Sequence, residues 1–296
     1  MSTAEHVNWQ HRLETIAFKA VMGLFRMMGR DRASAFGGAL FRVVGPRISR
    51  HKKALASMAR ALPELPEAER EAAMMEMWDN LGRVAGEYAH LDTFTSLGDD
   101  ADISVEGHEV LAPFADSGKA AIFVSGHFAN WELSALAGVE AGVEVAAVYR
   151  APNNPAIDAW ITRTRQANVV PHQVPKGPAG ARELVKCLRS GISLCLLADQ
   201  KMNDGIESDF FGRPAMSPAA PATMALRYDV PIIPVSFVRV EDTRFAVKFW
   251  PPLEFEKTGD MQADVAAVTG MINRFLEDCI RAHPGQWLWL HRRWKD

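Results

Sequence analysis

Short apolar runs divided by glycine, proline and asparagine recur from about residue 102 onward, and this rhythm restricts the chain to strands alternating with helices. The runs at 102–105, 120–125, 144–149, 168–174, 192–198, 231–238 and 244–250 read as strands, and helices fit between them at 130–141, 155–167, 179–190 and 218–228. The pair 231–238 and 244–250, joined through Glu241, Asp242 and Thr243, predicts an antiparallel hairpin. An α/β fold with a mixed central sheet flanked by helices follows. A last helix at 261–282 places Val265, Val268, Ile272, Phe275, Leu276 and Cys279 on one stripe and ends at Pro284-Gly285.

The first hundred residues read differently. From about 13 to 48 apolar residues are dense, among them Ile16, Phe18, Val21, Met22, Leu24, Phe25, Met27 and Met28. Lys19, Arg26 and Arg30 fall within roughly 40° of one another at about 100° per residue. An apolar body with a basic stripe suits a helix lying among lipid headgroups, although an ordinary surface helix docked on a domain shows the same pattern. Further helices at 50–61 and 67–92 are separated by Pro63 and Pro66. Residues 1–100 are thus expected to form a helical, membrane-associating segment packed on an α/β domain at 101–296.

Charge reinforces this division. Residues 1–60 carry eleven Lys/Arg against Glu5, Glu14 and Asp31, a local charge of +8 within an overall −3, so the remainder carries −11. The basic end is a candidate contact surface for an anionic partner. No apolar run reaches the roughly 18 residues of a spanning helix, and the start lacks the pattern of a secretory signal. Cys187, Cys195 and Cys279, odd in number and without metal-ligand spacing, read as reduced, packed thiols.

Chemistry concentrates in Ser125-Gly126-His127-Phe128-Ala129-Asn130-Trp131-Glu132, directly after the apolar strand that ends at Val124. A regular helix would set residues 127 and 132 about 140° apart, so the two side chains meet only if His127 sits on a turn before the helix. On such a turn free amide N–H groups favour a neutral imidazole and can steady an oxyanion. Glu132 is then expected to accept from the second ring nitrogen, fixing the tautomer of a general base. Spacing alone does not decide this, because a His and a Glu five apart arise often by chance. G-x-S-x-G, P-loop and HExxH patterns are absent, and His108, His172 and His283 lack ligand spacing, so neither metal nor cofactor is expected.

Together with that block, the order and spacing of Tyr149-Arg150-Ala151-Pro152-Asn153-Asn154-Pro155, the Arg163/Arg165 pair, Ala198-Asp199-Gln200, Phe210-Phe211-Gly212-Arg213-Pro214, Pro231-Ile232-Ile233-Pro234 and Trp287-Leu288-Trp289-Leu290-His291-Arg292-Arg293-Trp294 resemble the lipid A biosynthesis acyltransferases, within the glycerolipid acyltransferases that share an H-x4-D/E motif. The resemblance spans nearly the whole chain. Ala129 stands where that family often has glycine, and the N-terminal segment is less apolar than in members with a spanning helix.

The resemblance implies transfer of a fatty acyl group from acyl–acyl carrier protein to a hydroxyl of a phosphorylated glucosamine disaccharide, with His127 and Glu132 as the catalytic dyad. It also implies a peripheral or monotopic place on the cytoplasmic face of the inner membrane, with the carrier protein, the glycolipid acceptor and the membrane as partners and no nucleic acid. Asn130, Gln200 and Arg213 become candidate substrate contacts. Arg150, Arg163 and Arg165 offer forked bonds to phosphate or carboxylate, or are simply exposed arginines. Asp199 ends the strand run and should lie beside His127 at the same sheet edge. Phe210, Phe211 and Gly212 suit an alkyl chain or a pantetheine arm if they are not core. The tail mixes Trp287, Trp289 and Trp294 with His291, Arg292, Arg293 and Lys295, as a lipid–water interface does. Rival readings are an acyltransferase for a lysophospholipid or another glycolipid, and a non-catalytic lipid- or carrier-binding protein of the same fold.

Overall fold

The computed structural model describes residues 9–295; the first eight residues of the predicted N-terminal segment, and Asp296, lie outside the described residues. The chain opens with helices α1 (Trp9–Met28), α2 (Arg30–Val44), α3 (Arg50–Ala61) and α4 (Glu67–Glu87), the last prolonged by a 3₁₀ turn, Tyr88–Thr93. Then come β1 (Ile103–Glu106), β2 (Ile122–Ser125), a 3₁₀ turn at Trp131–Leu133, α5 (Leu136–Glu140), β3 (Val145–Tyr149), α6 (Pro155–Asn168), β4 (His172–Pro175), α7 (Pro178–Arg189) and β5 (Ser193–Leu197). A hairpin of β6 (Ile206–Phe210) and β7 (Arg213–Ser217), α8 (Ala220–Tyr228), β8 (Ile232–Glu241), β9 (Arg244–Phe249) and α9 (Met261–Ala282) complete the order.

Seven strands form one sheet in the order β1-β9-β8-β2-β5-β3-β4, all neighbours parallel except the β8/β9 hairpin. This is the mixed sheet expected. All four residues of β2 are buried, which explains its unbroken apolar run: Ile122 and Val124 enter the core on one face, and Phe123 enters the core on the other. Helix α9 has the bounds read from sequence, with Asp260 capping the amides of Gln262 and Ala263 and with Val268, Ile272 and Leu276 buried.

Three expectations about elements change. The hairpin β6/β7 was not foreseen, because Glu207, Ser208 and Asp209 interrupt any apolar run there. The helix expected at 130–141 is broken into the 3₁₀ turn and the short α5. At the N-terminus, Gly29 takes φ 78° and ends α1, so Arg30 begins a different helix from Lys19 and Arg26. Arg26 forms a two-pronged ion pair with Asp92, and Arg30 pairs with Asp102. The predicted basic stripe is therefore largely committed to holding helices to the body.

Helices α2 and α4 approach closely along a seam of small residues. A Cβ on Gly82 would lie 2.1 Å from the Gly37 carbonyl oxygen, and one on Gly86 would lie 2.2 Å from that of Ala33. Helix α1 packs through Phe18 on Trp160 of α6, with ring centroids 5.1 Å apart. Its outer side leaves Trp9, Leu13, Ile16, Leu24 and Met27 exposed, and α2 adds Phe36, Leu40, Val43 and Val44. No helix among the described residues is long and apolar enough to cross a membrane.

Candidate active site

Strand register brings the site together. In the parallel β2/β5 pair Ser125 lies opposite Leu197, so His127 and Asp199, each two residues farther on, emerge side by side from the carboxyl edge. His127 Nδ1 lies 2.7 Å from Asp199 Oδ1, and the His127 backbone N–H donates to Asp199 Oδ2 at 2.9 Å. Trp287 donates its indole N–H to the same Oδ2 at 2.7 Å. The carboxylate is buried and the imidazole is 17% exposed. Burial alone would raise the Asp199 carboxyl; the His127 ring and amide and the Trp287 indole outweigh it and bring the value down to about 2. An ionised carboxylate only accepts, so Nδ1 carries the proton and Nε2 is left as the basic atom. Gln200 Nε2 lies 3.1 Å from that nitrogen, and the Trp131 ring packs 5.4 Å from the imidazole.

Glu132 is not the partner of this histidine, contrary to the sequence reading. Its carboxylate accepts two bonds from Arg165, from Nε at 2.7 Å and Nη2 at 2.6 Å. Tyr88 lies beside the pair, its ring centroid 6.0 Å from the Arg165 guanidinium carbon, and burial drives its phenol far upward. Burial would lower the Arg165 pKa, and Glu132 raises it overall. The reason is the path between residues 127 and 132. Phe128 bridges Trp287, the Ala129 amide donates to Gln286 O, and Ala129 takes φ 45° before the 3₁₀ turn begins. That left-handed backbone gives a physical reason for the glycine common at this place in the resembling family.

The first three amides of the turn already have acceptors. The His127 amide serves Asp199, that of Phe128 serves Gly126 O and that of Ala129 serves Gln286 O. Asn130 is fully buried and donates to Glu87 at 2.9 Å, within a network in which Arg239 pairs with Glu87 and Asn80 bonds Ala129 O. It braces the loop and does not face a substrate. Arg165 is occupied by Glu132, whereas Arg150 and Arg163 are exposed.

The aromatic block is core. Phe210 is fully buried against Trp294 and Trp287, Phe211 is buried beside Trp294, and Gly212 at φ 67° turns the hairpin with open space where a Cβ would be. Arg213 lies over the Trp294 ring, its guanidinium carbon 4.9 Å from the centroid. The tryptophans of the tail are core as well: Trp287, Trp289 and Trp294 are buried with Arg293, while Arg292 and Lys295 are exposed. Arg293, held by Met216 O and Ser217 and lying over Phe210, has its pKa lowered by burial to about 10. Sequence reasoning missed two parts of the site carried by this tail: Trp287 on Asp199, and His291, whose Nε2 accepts from the Lys201 amide at 2.9 Å. The available signal was that a buried indole N–H needs an acceptor, and Asp199 was a carboxylate already placed at the sheet edge.

A histidine whose one nitrogen is fixed by a buried carboxylate, at a sheet edge open to solvent, can take a proton from a hydroxyl and return it to a leaving group. In comparisons with known proteins, the model of the family described as bacterial lipid A biosynthesis acyltransferase matches residues 4–296. The chain is 25% identical over 244 residues to a phosphatidylinositol mannoside acyltransferase of Mycobacterium tuberculosis (strain CDC 1551 / Oshkosh), covering 80% of this chain and 75% of that protein. It is 24% identical over 203 residues to one from Mycolicibacterium smegmatis (strain ATCC 700084 / mc(2)155), covering 67% and 64%.

Proposed function

The chain belongs to the bacterial lipid A biosynthesis acyltransferase family and is an O-acyltransferase acting on a lipid acceptor, and from that premise we propose that it moves a fatty acyl chain from acyl–acyl carrier protein to a hydroxyl of a lipid A precursor. The observation that carries the reading is the His127–Asp199 contact at the carboxyl edge of β2 and β5. The acceptor hydroxyl takes the place of the Gln200 amide at His127 Nε2. Its oxygen attacks the thioester carbonyl as the proton passes to Nε2. Asp199 stabilises the imidazolium that forms. On collapse the C–S bond breaks, the imidazolium returns its proton to the departing sulfur, and an ester and a free thiol result. No acyl-enzyme is needed, and base catalysis of this kind contributes roughly 10²–10⁴ in rate.

The exposed apolar side chains of α1 and α2 support peripheral attachment to the inner membrane at its cytoplasmic face. The basic character of residues 1–60 suits the acidic surface of a carrier protein. The similarity to phosphatidylinositol mannoside acyltransferases supports a second reading, in which the same chemistry serves another phosphorylated glycolipid.

The test is a mass-spectrometric product assay with purified protein, acyl–acyl carrier protein of several chain lengths, and either a lipid A precursor or a phosphatidylinositol mannoside, run beside His127→Ala. Acylation of the lipid A precursor by the wild type alone is expected. Acylation of the mannoside only would establish the second reading, and product formation by a folded His127→Ala would remove the base assignment.

A further inference from the structure

A cavity of about 380 Å³ lies between α1, the 3₁₀ turn after α4, and α6, and neither His127 nor Asp199 lines it. Helix α1 lines it with Lys19, Met22, Gly23 and Arg26, the turn with Tyr88, Ala89, Leu91 and Asp92, and α6 with Trp160, Thr164 and Asn168. Its size falls within the ~300–1,000 Å³ typical of small-molecule sites. Arg26 is committed to Asp92 by bonds of 2.6 and 2.8 Å, and also donates to Ala89 O. Lys19 has no ionic partner among the described residues. The Arg26–Asp92 pair is neutral as a unit, so Lys19 leaves the lining with a net positive charge and favours an anion.

Placement says which anion. At about 100° per residue, the stripe Lys19, Met22, Gly23 and Arg26 lies roughly 100° around α1 from the exposed stripe Leu13, Ile16, Leu24 and Met27. A helix resting by the second stripe on a bilayer holds the first at the depth of the lipid headgroups. Gly23 keeps the cavity open: nothing stands within 4 Å of where its Cβ would be, in a helix interior where glycine otherwise weakens the fold. Tyr88 lines the cavity and lies beside Arg165, which holds Glu132; neither Arg165 nor Glu132 is in the lining.

We infer that this cavity binds the phosphate-bearing headgroup of a membrane lipid, with Lys19 on the phosphate, the Trp160 and Met22 walls on its apolar neighbour atoms, and the lipid chains running out along the exposed stripe of α1. The inference rests on membrane attachment as read above and on no assumption about turnover. The phosphate has two possible sources, a lipid or the free ion, and calorimetry separates them with two probes: dihexanoyl phosphatidic acid below its micelle concentration, and inorganic phosphate.

The wild type is expected to bind the short-chain lipid at least tenfold more tightly than inorganic phosphate. Gly23→Phe, which fills the space without changing charge, should abolish that binding, whereas Gly23→Ala should keep it. Lys19→Glu, on the exposed surface of the helix, needs no repacking and should weaken binding at least tenfold even if Gly23→Phe does not fold. Equal affinity for the two probes, or unchanged lipid binding by Lys19→Glu, would overturn the inference. Neither depends on acyl transfer: a protein that binds the lipid but acylates no acceptor would sink the proposed function and leave the headgroup site standing.

Discussion

Asp199 accepts a 2.7 Å hydrogen bond from His127 across 72 positions of sequence, while Glu132, five residues from His127, is turned onto Arg165. The local H-x4-E spacing marks the loop, and the long-range strand register supplies the partner. Two neighbouring parallel strands of equal reach do what one helical turn was expected to do.

Asp199→Asn should therefore cost activity through the tautomer. An asparagine can donate as well as accept, so the imidazole is no longer forced to carry its proton on Nδ1. A loss of about 10²–10⁴ in kcat is expected. Combining it with His127→Ala should lower activity little beyond the worse single variant, since the two residues act as a unit. Thiol release from the acyl donor measures both. Multiplicative losses would separate the residues into independent roles.

Glu132 and Arg165 should couple in stability. Their side chains are 8% and 21% exposed, and removing either leaves a largely desolvated charge, which costs about 3–5 kcal/mol. A double-mutant cycle of Glu132→Ala and Arg165→Ala, read by urea unfolding, should show the double variant far less damaged than the sum of the singles. The same cycle between Glu132→Ala and His127→Ala should be additive. Coupling in the second cycle and not in the first would restore the pairing that the sequence suggested.

The sheet was legible because its signal is local and repeated. Each apolar run such as Ala120 to Val124 had to be buried, and the polar turn after Glu241 fixed a hairpin. The placement of His127 at the end of β2, and of Asp199 beside it, followed from the same reading. Elements governed by distant contacts were not legible. Ala129 takes its left-handed turn because residues 286 and 287 pair with the loop, and nothing near position 129 announces that. The aromatic residues of 210–211 and 287–294 have the composition of an interface, but α9 and the β6/β7 hairpin enclose them. Composition alone could not decide between a lipid surface and a core.

The glycines of the helical layer give a packing prediction that the sequence reading did not contain. Gly82→Ala drives a methyl to 2.1 Å from the Gly37 carbonyl oxygen, so α2 and α4 must separate. Overpacking of this kind costs about 1–3 kcal/mol or more. Gly138→Ala, in α5 with nothing within 4 Å, should instead stabilise by about 0.5–1 kcal/mol through helix propensity. Thermal unfolding of the two variants should move in opposite directions. Two equal shifts would mean that the close approach of α2 and α4 does not limit packing.

Mild acid should loosen the loop that carries Asp199, through His291. Its Nε2 accepts from the Lys201 amide, which requires a neutral ring. Burial is the largest influence on that ring and lowers its pKa; Asp199 opposes this, and His127, Arg293 and Lys176 add to the lowering. A depressed folded pKa means that stability is complete above the unfolded value of about 6.5 and is lost as pH falls from there through the folded value. Asp199, at about 2, holds its charge across that window. His283 is lowered by burial too, and Glu76 and Glu277, raised by burial, act with the opposite sign in the carboxylate range. The comparison that isolates His291 is thus the difference in urea midpoint between pH 7.5 and 5.5 for the wild type, His291→Gln and His283→Gln. Glutamine keeps an acceptor for Lys201 without a titrating ring, so His291→Gln should show a clearly smaller drop than the wild type. An unchanged drop in His291→Gln, with a reduced one in His283→Gln, would place the acid sensitivity at the end of α9 and away from the site.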